Sequence, residues 1–260
     1  MNLVLDIGNT SVKAALFDSG ELKQLLTSVT EVKDAVVKYR IKRCMISKTG
    51  SDHPLEDFLS SQTFTLRYFS SVTKIPFVNN YGTPETVGTD RLALVAGASA
   101  LFPKSNLLCI DTGTCITYNF INSKNEFIGG SIAPGLEMRF KSLHHFTARL
   151  PLVKWNMTQW SDSRACLQQE KTTGNKNSSF AIASELVGNN TEASILSGVL
   201  NGMAAETDAI INLYKKRYKH LTVVITGGSL PFFASALENV IFARPNLVLH
   251  GLNTILEYNS

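Results

Sequence analysis

The chain has 260 residues, 44% of them hydrophobic and 18% charged, with a formal net charge of +4. That composition excludes a disordered or fibrous chain and is long enough to bury one large core or two smaller ones. The mild charge, with no basic stripe interleaved with aromatics, argues against a nucleic-acid binder. No uncharged apolar run reaches the roughly 18 residues of a membrane span.

The N-terminus runs straight into an apolar strand, so no signal peptide is expected. Cysteines 44, 109, 115 and 166 show no metal-ligand spacing. Cys109 and Cys115 fall in predicted core strands and are expected to be buried thiols, which fits a reducing cytoplasm.

Residues 2–6, 11–18 and 21–28 read as three antiparallel strands. Between the first two lies Asp6-Ile7-Gly8-Asn9-Thr10-Ser11-Val12-Lys13, a tight turn carrying a carboxylate, a glycine, hydroxyls and a lysine. Glycine lets a backbone lie against a ligand, and successive turn amides form an anion-binding concavity. A carboxylate beside phosphate has a natural role in holding a hydrated metal cation.

Residues 31–41 are predicted helical, with Val32, Ala35, Val36 and Tyr39 on one face. Cys44–Ser47 reads as a buried strand, 53–61 as a helix and Thr65–Phe69 as a strand, an α/β succession. Residues 75–91 are rich in turn formers. They lead into a helix from Leu92 to Leu101 whose small residues, Ala93, Ala96, Gly97, Ala98 and Ala100, permit close packing. Thr89 or Asp90 would serve as its N-cap. Arg91 in a first turn opposes the helix dipole, which points it towards an anion.

About a hundred residues after the first turn comes a near-copy: the apolar strand Leu107–Ile110, then Asp111-Thr112-Gly113-Thr114, then the strand Ile116–Phe120. One such turn is an ordinary hairpin. Two at matching places indicate a duplicated domain with two phosphate-facing hairpins. A third strand, Glu126–Ile132, precedes Ala133-Pro134-Gly135 and a helix over about 135–146, ending at His144-His145. Residues 155–187 give no clear period and include a polar, loop-like stretch. A long helix is predicted from Thr191 to about 218. Its apolar surface is wider than one stripe, so it is either buried or paired with a partner chain. The strand Leu221–Ile225 leads through Thr226-Gly227-Gly228-Ser229 into a helix over 231–239, a third glycine turn able to approach a ligand.

Three such turns in this order resemble the actin, sugar kinase and heat-shock ATPase superfamily. Within it the sequence resembles the type III pantothenate kinases, through Asp6–Thr10, Gly88-Thr89-Asp90-Arg91, Asp111–Thr114, Gly129–Gly135 and Thr226–Gly228. The resemblance spans nearly the whole chain. It implies an α/β fold of duplicated ribonuclease H-like (actin-like ATPase) domains, mixed sheets flanked by helices, here residues 1–105 and 106–260. It implies ATP-dependent phosphorylation of pantothenate, with Mg²⁺ and a monovalent cation, potassium or ammonium. By the same resemblance Asp6, Ile7, Gly8, Asn9, Thr10, Ser11, Val12 and Lys13 would bind the ATP phosphates, with Asp6 near Mg²⁺ and Thr114 contacting ATP. Asp90 would be the general base. Tyr81, Gly88, Thr89, Asp90 and Arg91 would line the pantothenate site, joined by Thr191 from the partner of a homodimer built on the long helix. Asp111 would hold the monovalent cation. Two other readings of the same residues are a different small-molecule kinase of the superfamily and a regulatory homologue without activity. A P-loop enzyme is disfavoured, because no Gly-x-x-x-x-Gly-Lys-Ser/Thr occurs.

Overall fold

The structure, a computed structural model, describes residues 1–8, 12–48, 53–155 and 185–260. Asn9, Thr10, Ser11, Cys166 and most of the 155–187 stretch therefore lie outside the described residues. The polypeptide packs as two compact units. The first comprises residues 1–109, 119–131 and 246–260, and the second residues 110–118 and 132–245.

The first sheet contains β1 (Asn2–Ile7), β2 (Val12–Asp18), β3 (Glu21–Leu26), β4 (Arg43–Lys48) and β5 (Thr65–Tyr68). Its strand order is β3-β2-β1-β4-β5. The hairpins β1–β2 and β2–β3 are antiparallel, whereas β4 and β5 join parallel to β1 and to each other. Residues 3–5 of β1 and 44–46 of β4 are fully buried on both faces, as expected where helices cover both sides of a sheet. One face packs Leu3, Leu5, Ile7 and Leu16 against α1 (Val29–Lys38) and α2 (Leu55–Ser60), through Val32, Ala35, Leu55 and Leu59. The opposite face carries α3 (Thr89–Leu101) and α7 (Leu247–Tyr258), the most extensively packed pair of helices in the unit.

The second sheet contains β6 (Val78–Asn79), β7 (Asn106–Thr112), β8 (Cys115–Ile121), β9 (Glu126–Pro134), β10 (Leu221–Thr226) and β11 (Phe242–Ala243), in the order β11-β10-β7-β8-β9-β6. With β6 set aside, the run β9-β8-β7-β10-β11 repeats the 3-2-1-4-5 order of the first sheet. The repeat of the Asp-x-Gly hairpin thus coincides with a repeat of topology. The helices of this half are α4 (Leu136–His145), α5 (Thr191–Arg217) and α6 (Leu230–Ala236).

The structure departs from the sequence expectations at a few places. The third strand stops at Leu26 and α1 begins at Val29, because Ser28 caps the helix by accepting from Glu31 N at 3.1 Å. Glu31 Oε2 returns the contact to Thr27 N at 2.6 Å, a reciprocal arrangement at the helix start close to the capping box. Tyr39, expected on the helix, is its C-cap. Helix α6 stops at Ala236 rather than 239, since Asp208 captures the backbone N–H groups of Glu238 and Asn239 at 3.0 and 3.1 Å. Cys109 is buried as expected, but Cys115 is only half-buried, as it starts β8 beside the turn. No helix among the described residues is long and apolar enough to cross a membrane.

Candidate active site

In the first unit the candidate residues gather at the carboxyl ends of β1 and β4 and the first turn of α3. Asp6 is the penultimate residue of β1. It pairs in register with Lys13 on β2 and with Ser47 on β4. Ser47 is fully buried, and its hydroxyl lies 3.0 Å from Thr89 Oγ1. This bond links the strand beside the first turn to the start of α3. It also removes Thr89 from the predicted N-cap role. The N-cap is Gly88, with no side-chain capping bond, and Asp90 lies one residue inside the helix.

Asp90 Oδ1 accepts from Arg91 N at 2.8 Å, leaving Oδ2 without a hydrogen bond among the described residues. The carboxylate folds back over Gly88 so closely that a Cβ there would collide with Oδ1. Glycine at 88 leaves room for the carboxylate in this position.

Arg91 is 7% exposed. Its Nε donates to Asn119 Oδ1 at 2.7 Å. The guanidinium carbon sits 5.5 Å from the centroid of Tyr81 and 5.9 Å from that of Phe127, within cation–π range. Those rings stack on each other, 6.0 Å apart and 14° from parallel. Gly129, at φ +127°, lies under Tyr81, where a Cβ would come within 3.1 Å of the ring. Arg91 Nη2 is buried and has no hydrogen-bond partner among the described residues. A buried, unsatisfied guanidinium N–H is costly unless a ligand meets it.

In the second unit three glycine turns meet. Gly227, at φ +104°, lies so close to the β7–β8 turn that a Cβ would stand 2.6 Å from Asp111 Oδ1 and 2.5 Å from Thr112 N. Thr112 Oγ1 donates to Thr226 O at 2.7 Å, and Ser229 N donates to Thr112 O at 3.0 Å. From the other side Gly135 N donates to Thr114 O at 3.2 Å, and a Cβ on Gly135 would fall 2.5 Å from Gly113 O. The Asp111–Thr114 turn is therefore gripped by the Pro134-Gly135 turn and the Thr226–Ser229 turn. Arg139, on α4, extends the grip. Its Nε donates to Pro134 O at 2.9 Å and its Nη2 to both Glu206 carboxylate oxygens at 3.0 and 2.8 Å.

Thr191, the first residue of α5, is exposed beside its N-cap Asn190, whose side chain accepts from Ala193 N at 2.9 Å. It borders a groove of about 530 Å³ that also includes Arg139, Leu143, Leu150 and Ile195. Among the described residues no group of three or more His, Cys, Asp and Glu is arranged to hold a metal.

The sequence model of the type III pantothenate kinase family matches residues 2–213. This chain belongs to the type III pantothenate kinase family. It is 39% identical to the type III pantothenate kinase of Christiangramia forsetii, over 100% of this chain and 99% of that protein. It is 39% identical to that of Cytophaga hutchinsonii, with both chains covered in full. Among solved structures, the activator of 2-hydroxyisocaproyl-CoA dehydratase from Clostridium difficile, with bound ADPNP, superposes with a TM-score of 0.52 at 14% identity, over 99% of this chain and 93% of that one. That likeness concerns the fold, which is the actin-like ATPase and sugar kinase fold of two mixed sheets. Tyr81, Gly88, Thr89, Asp90 and Arg91 fall together at the head of α3, and Asp111 and Thr114 in and beside the β7–β8 turn. Ser47, Asn119, Phe127 and Arg139 carried no signal in the sequence beyond strand or helix positions, yet each fixes one of those residues or turns.

Proposed function

We propose that this pantothenate kinase transfers the terminal phosphoryl group of ATP to the hydroxyl of pantothenate, giving 4′-phosphopantothenate in the first step of coenzyme A synthesis. The observation that carries this reading is Arg91. A buried guanidinium with Nη2 open, one residue from a carboxylate with an open oxygen, suits an acceptor that bears both an anion and an alcohol. Arg91 would meet the pantothenate carboxylate. Asp90 would take the hydroxyl proton as attack proceeds, because an alcohol is far too weak an acid to lose it unaided at neutral pH. Tyr81, Gly88 and Thr89 would line the rest of the site, and Thr191 would reach in from a second copy.

Each half of the sequence, 1–105 and 106–260, brings one Asp-x-Gly hairpin. The turn from Asp6 to Lys13 would cradle the ATP phosphates with its amides, and Thr114 would contact the nucleotide. Asp6 suits Mg²⁺, an oxygen-seeking cation. When bound, that ion neutralises charge on the transferring phosphoryl group. Asp111 fits a monovalent cation, potassium or ammonium, because Gly113 and Gly227 leave its Oδ1 in a cradle that a Cβ would fill.

A homodimer accounts for the exposed face of α5. Gly198, Gly202, Ala205 and Ala209 recur along it at helical spacing, with open space beyond both glycines, a surface on which another helix can approach closely. The cytoplasm is the compartment that holds ATP and reduced thiols.

The test is mass-spectrometric detection of phosphopantothenate from pure protein, MgATP and pantothenate in potassium or in sodium salt. Product that requires potassium supports the kinase and the Asp111 site together. Product in both salts keeps the kinase and removes that site. No product in either salt, with ATP still bound, overturns the reading in favour of another alcohol acceptor or a regulatory role.

A further inference from the structure

Among the described residues, the groups that meet the Arg91 guanidinium by hydrogen bond or ring contact carry no charge. Asn119 is fully buried. Its amide nitrogen lies 3.4 Å from Cys109 O on the neighbouring strand β7, which turns Oδ1 towards Arg91 Nε. Tyr81 and Phe127 supply ring surfaces and no counter-charge. A desolvated cation costs several kcal/mol, and folded proteins commonly offset this with a carboxylate. Here an amide fills the partner position. It accepts one hydrogen bond and orients the planar fork, but neutralises nothing. The positive charge is left for whatever meets Nη2, the buried atom without a partner among the described residues.

We infer that Asn119 is a positioning residue that aims Arg91 while leaving its charge uncompensated, and so sets the preference for a carboxylate-bearing acceptor over an uncharged analogue. The inference rests on the reading of Arg91 as the carboxylate's partner. An aspartate at 119 would have nearly the same shape but would satisfy the guanidinium from within, and the substrate would then compete with a built-in anion.

The experiment uses the full chain with MgATP. It measures the KM for pantothenate, the KM for ATP, kcat, and the Ki of pantothenyl alcohol, which has a hydroxymethyl group in place of the carboxylate. In Asn119→Asp the ratio of that Ki to the pantothenate KM is expected to fall about tenfold or more, with kcat and the ATP KM changed by no more than about twofold. Asn119→Ser, neutral but shorter, is expected to raise the pantothenate KM severalfold and to lower the ratio less than Asn119→Asp does. An unchanged ratio in Asn119→Asp overturns the inference. So do parallel rises in both KM values, which would mark a merely structural residue. If Asn119→Asp does not fold, Asn119→Ser decides: a wild-type pantothenate KM rejects the positioning role. Arg91→Gln separates the two layers. If it leaves the ratio unmoved, the reading of Arg91 fails. If it collapses the ratio and Asn119→Asp does not, the inference on Asn119 alone fails.

Discussion

Gly227 stands against Asp111 with room for nothing larger than a hydrogen: a Cβ would lie 2.6 Å from Asp111 Oδ1 and equally close to the Thr112 carbonyl carbon. The φ of +104° adds conformational strain for any other residue, of about 1–3 kcal/mol. Gly227→Ala must therefore push the Thr226–Ser229 turn off the Asp111–Thr114 turn. The expected outcome is a higher KM for ATP and a weaker response to potassium, with a loss of stability of about 2 kcal/mol or more. Steady-state kinetics and a melting curve check it. Wild-type kinetics in this variant would mean that the two turns need not touch for activity.

The helix that carries Asp90 and Arg91 is held by an equally close crossing. A Cβ on Gly251 of α7 would collide with Ala93 O of α3, and one on Gly97 of α3 would lie 2.5 Å from Leu247 O. Here backbone meets backbone, so no rotamer change relieves the clash. Gly251→Ala is expected to cost about 3 kcal/mol or more. Because α3 must shift to accommodate it, the pantothenate KM should rise as well. Thermal unfolding and kinetics on the same preparation test both. A melting temperature within a degree or so of wild type would show that the helices separate freely.

The legibility of these features in the sequence follows their range. The strands β1, β2, β7 and β8 were readable because apolar runs flanked each Asp-x-Gly turn. The small residues of α3 announced a close neighbour. That neighbour, α7, carries Val248, Leu249, Leu252, Ile255 and Leu256 at helical spacing, but nothing local tells that its Gly251 is what crosses Ala93 and Gly97 of α3. The glycines at 135 and 227 were visible as turns, but their shared target at 111–114 is set by tertiary pairing that no local pattern encodes. Asn119 looked like an ordinary polar strand residue, and only its burial against Arg91 gives it meaning. The expected strand over 21–28 passed over Ser28 and Glu31, a capping pair three residues apart, which starts α1 at Val29.

Asp90 is half-buried, with one oxygen tied to Arg91 N, so its amide analogue should keep the same fold and lose only the proton acceptor. Asp90→Asn is expected to lower kcat by about 10²–10⁴-fold. Binding of ATP, measured by calorimetry, should change little. Near-normal turnover would assign the base elsewhere.

Arg139 joins α4, the Pro134-Gly135 turn and α5 through two sets of hydrogen bonds, to Pro134 O and to Glu206. The pair is partly exposed, at 21% and 34% of the side chains, so its contribution to stability is about 1 kcal/mol or a little more. Its effect on the Thr114 turn should exceed that. Arg139→Leu is expected to raise the ATP KM severalfold with little change in the pantothenate KM. A double-mutant cycle with Glu206→Gln should give a coupling of about 0.5 kcal/mol or more. Additive effects would show that the two residues act apart.

His250, on α7, sets its ring edge-on to Phe17 of β2 at 5.2 Å and 79°. Burial pushes its pKa below the ordinary imidazole value. The unfolded chain then binds the proton more readily than the folded one between the depressed value and about 6.5. Stability from this residue is complete above that range and is lost as the pH falls through it. Because α7 also braces α3, acidification should loosen the helix that carries Asp90 and Arg91. Replacing His250 with leucine removes the titrating group while keeping an apolar contact to Phe17. Melting temperatures at pH 7.5, 6 and 5 should then fall less steeply in His250→Leu than in the native chain. An identical slope in both would place the acid sensitivity in other groups.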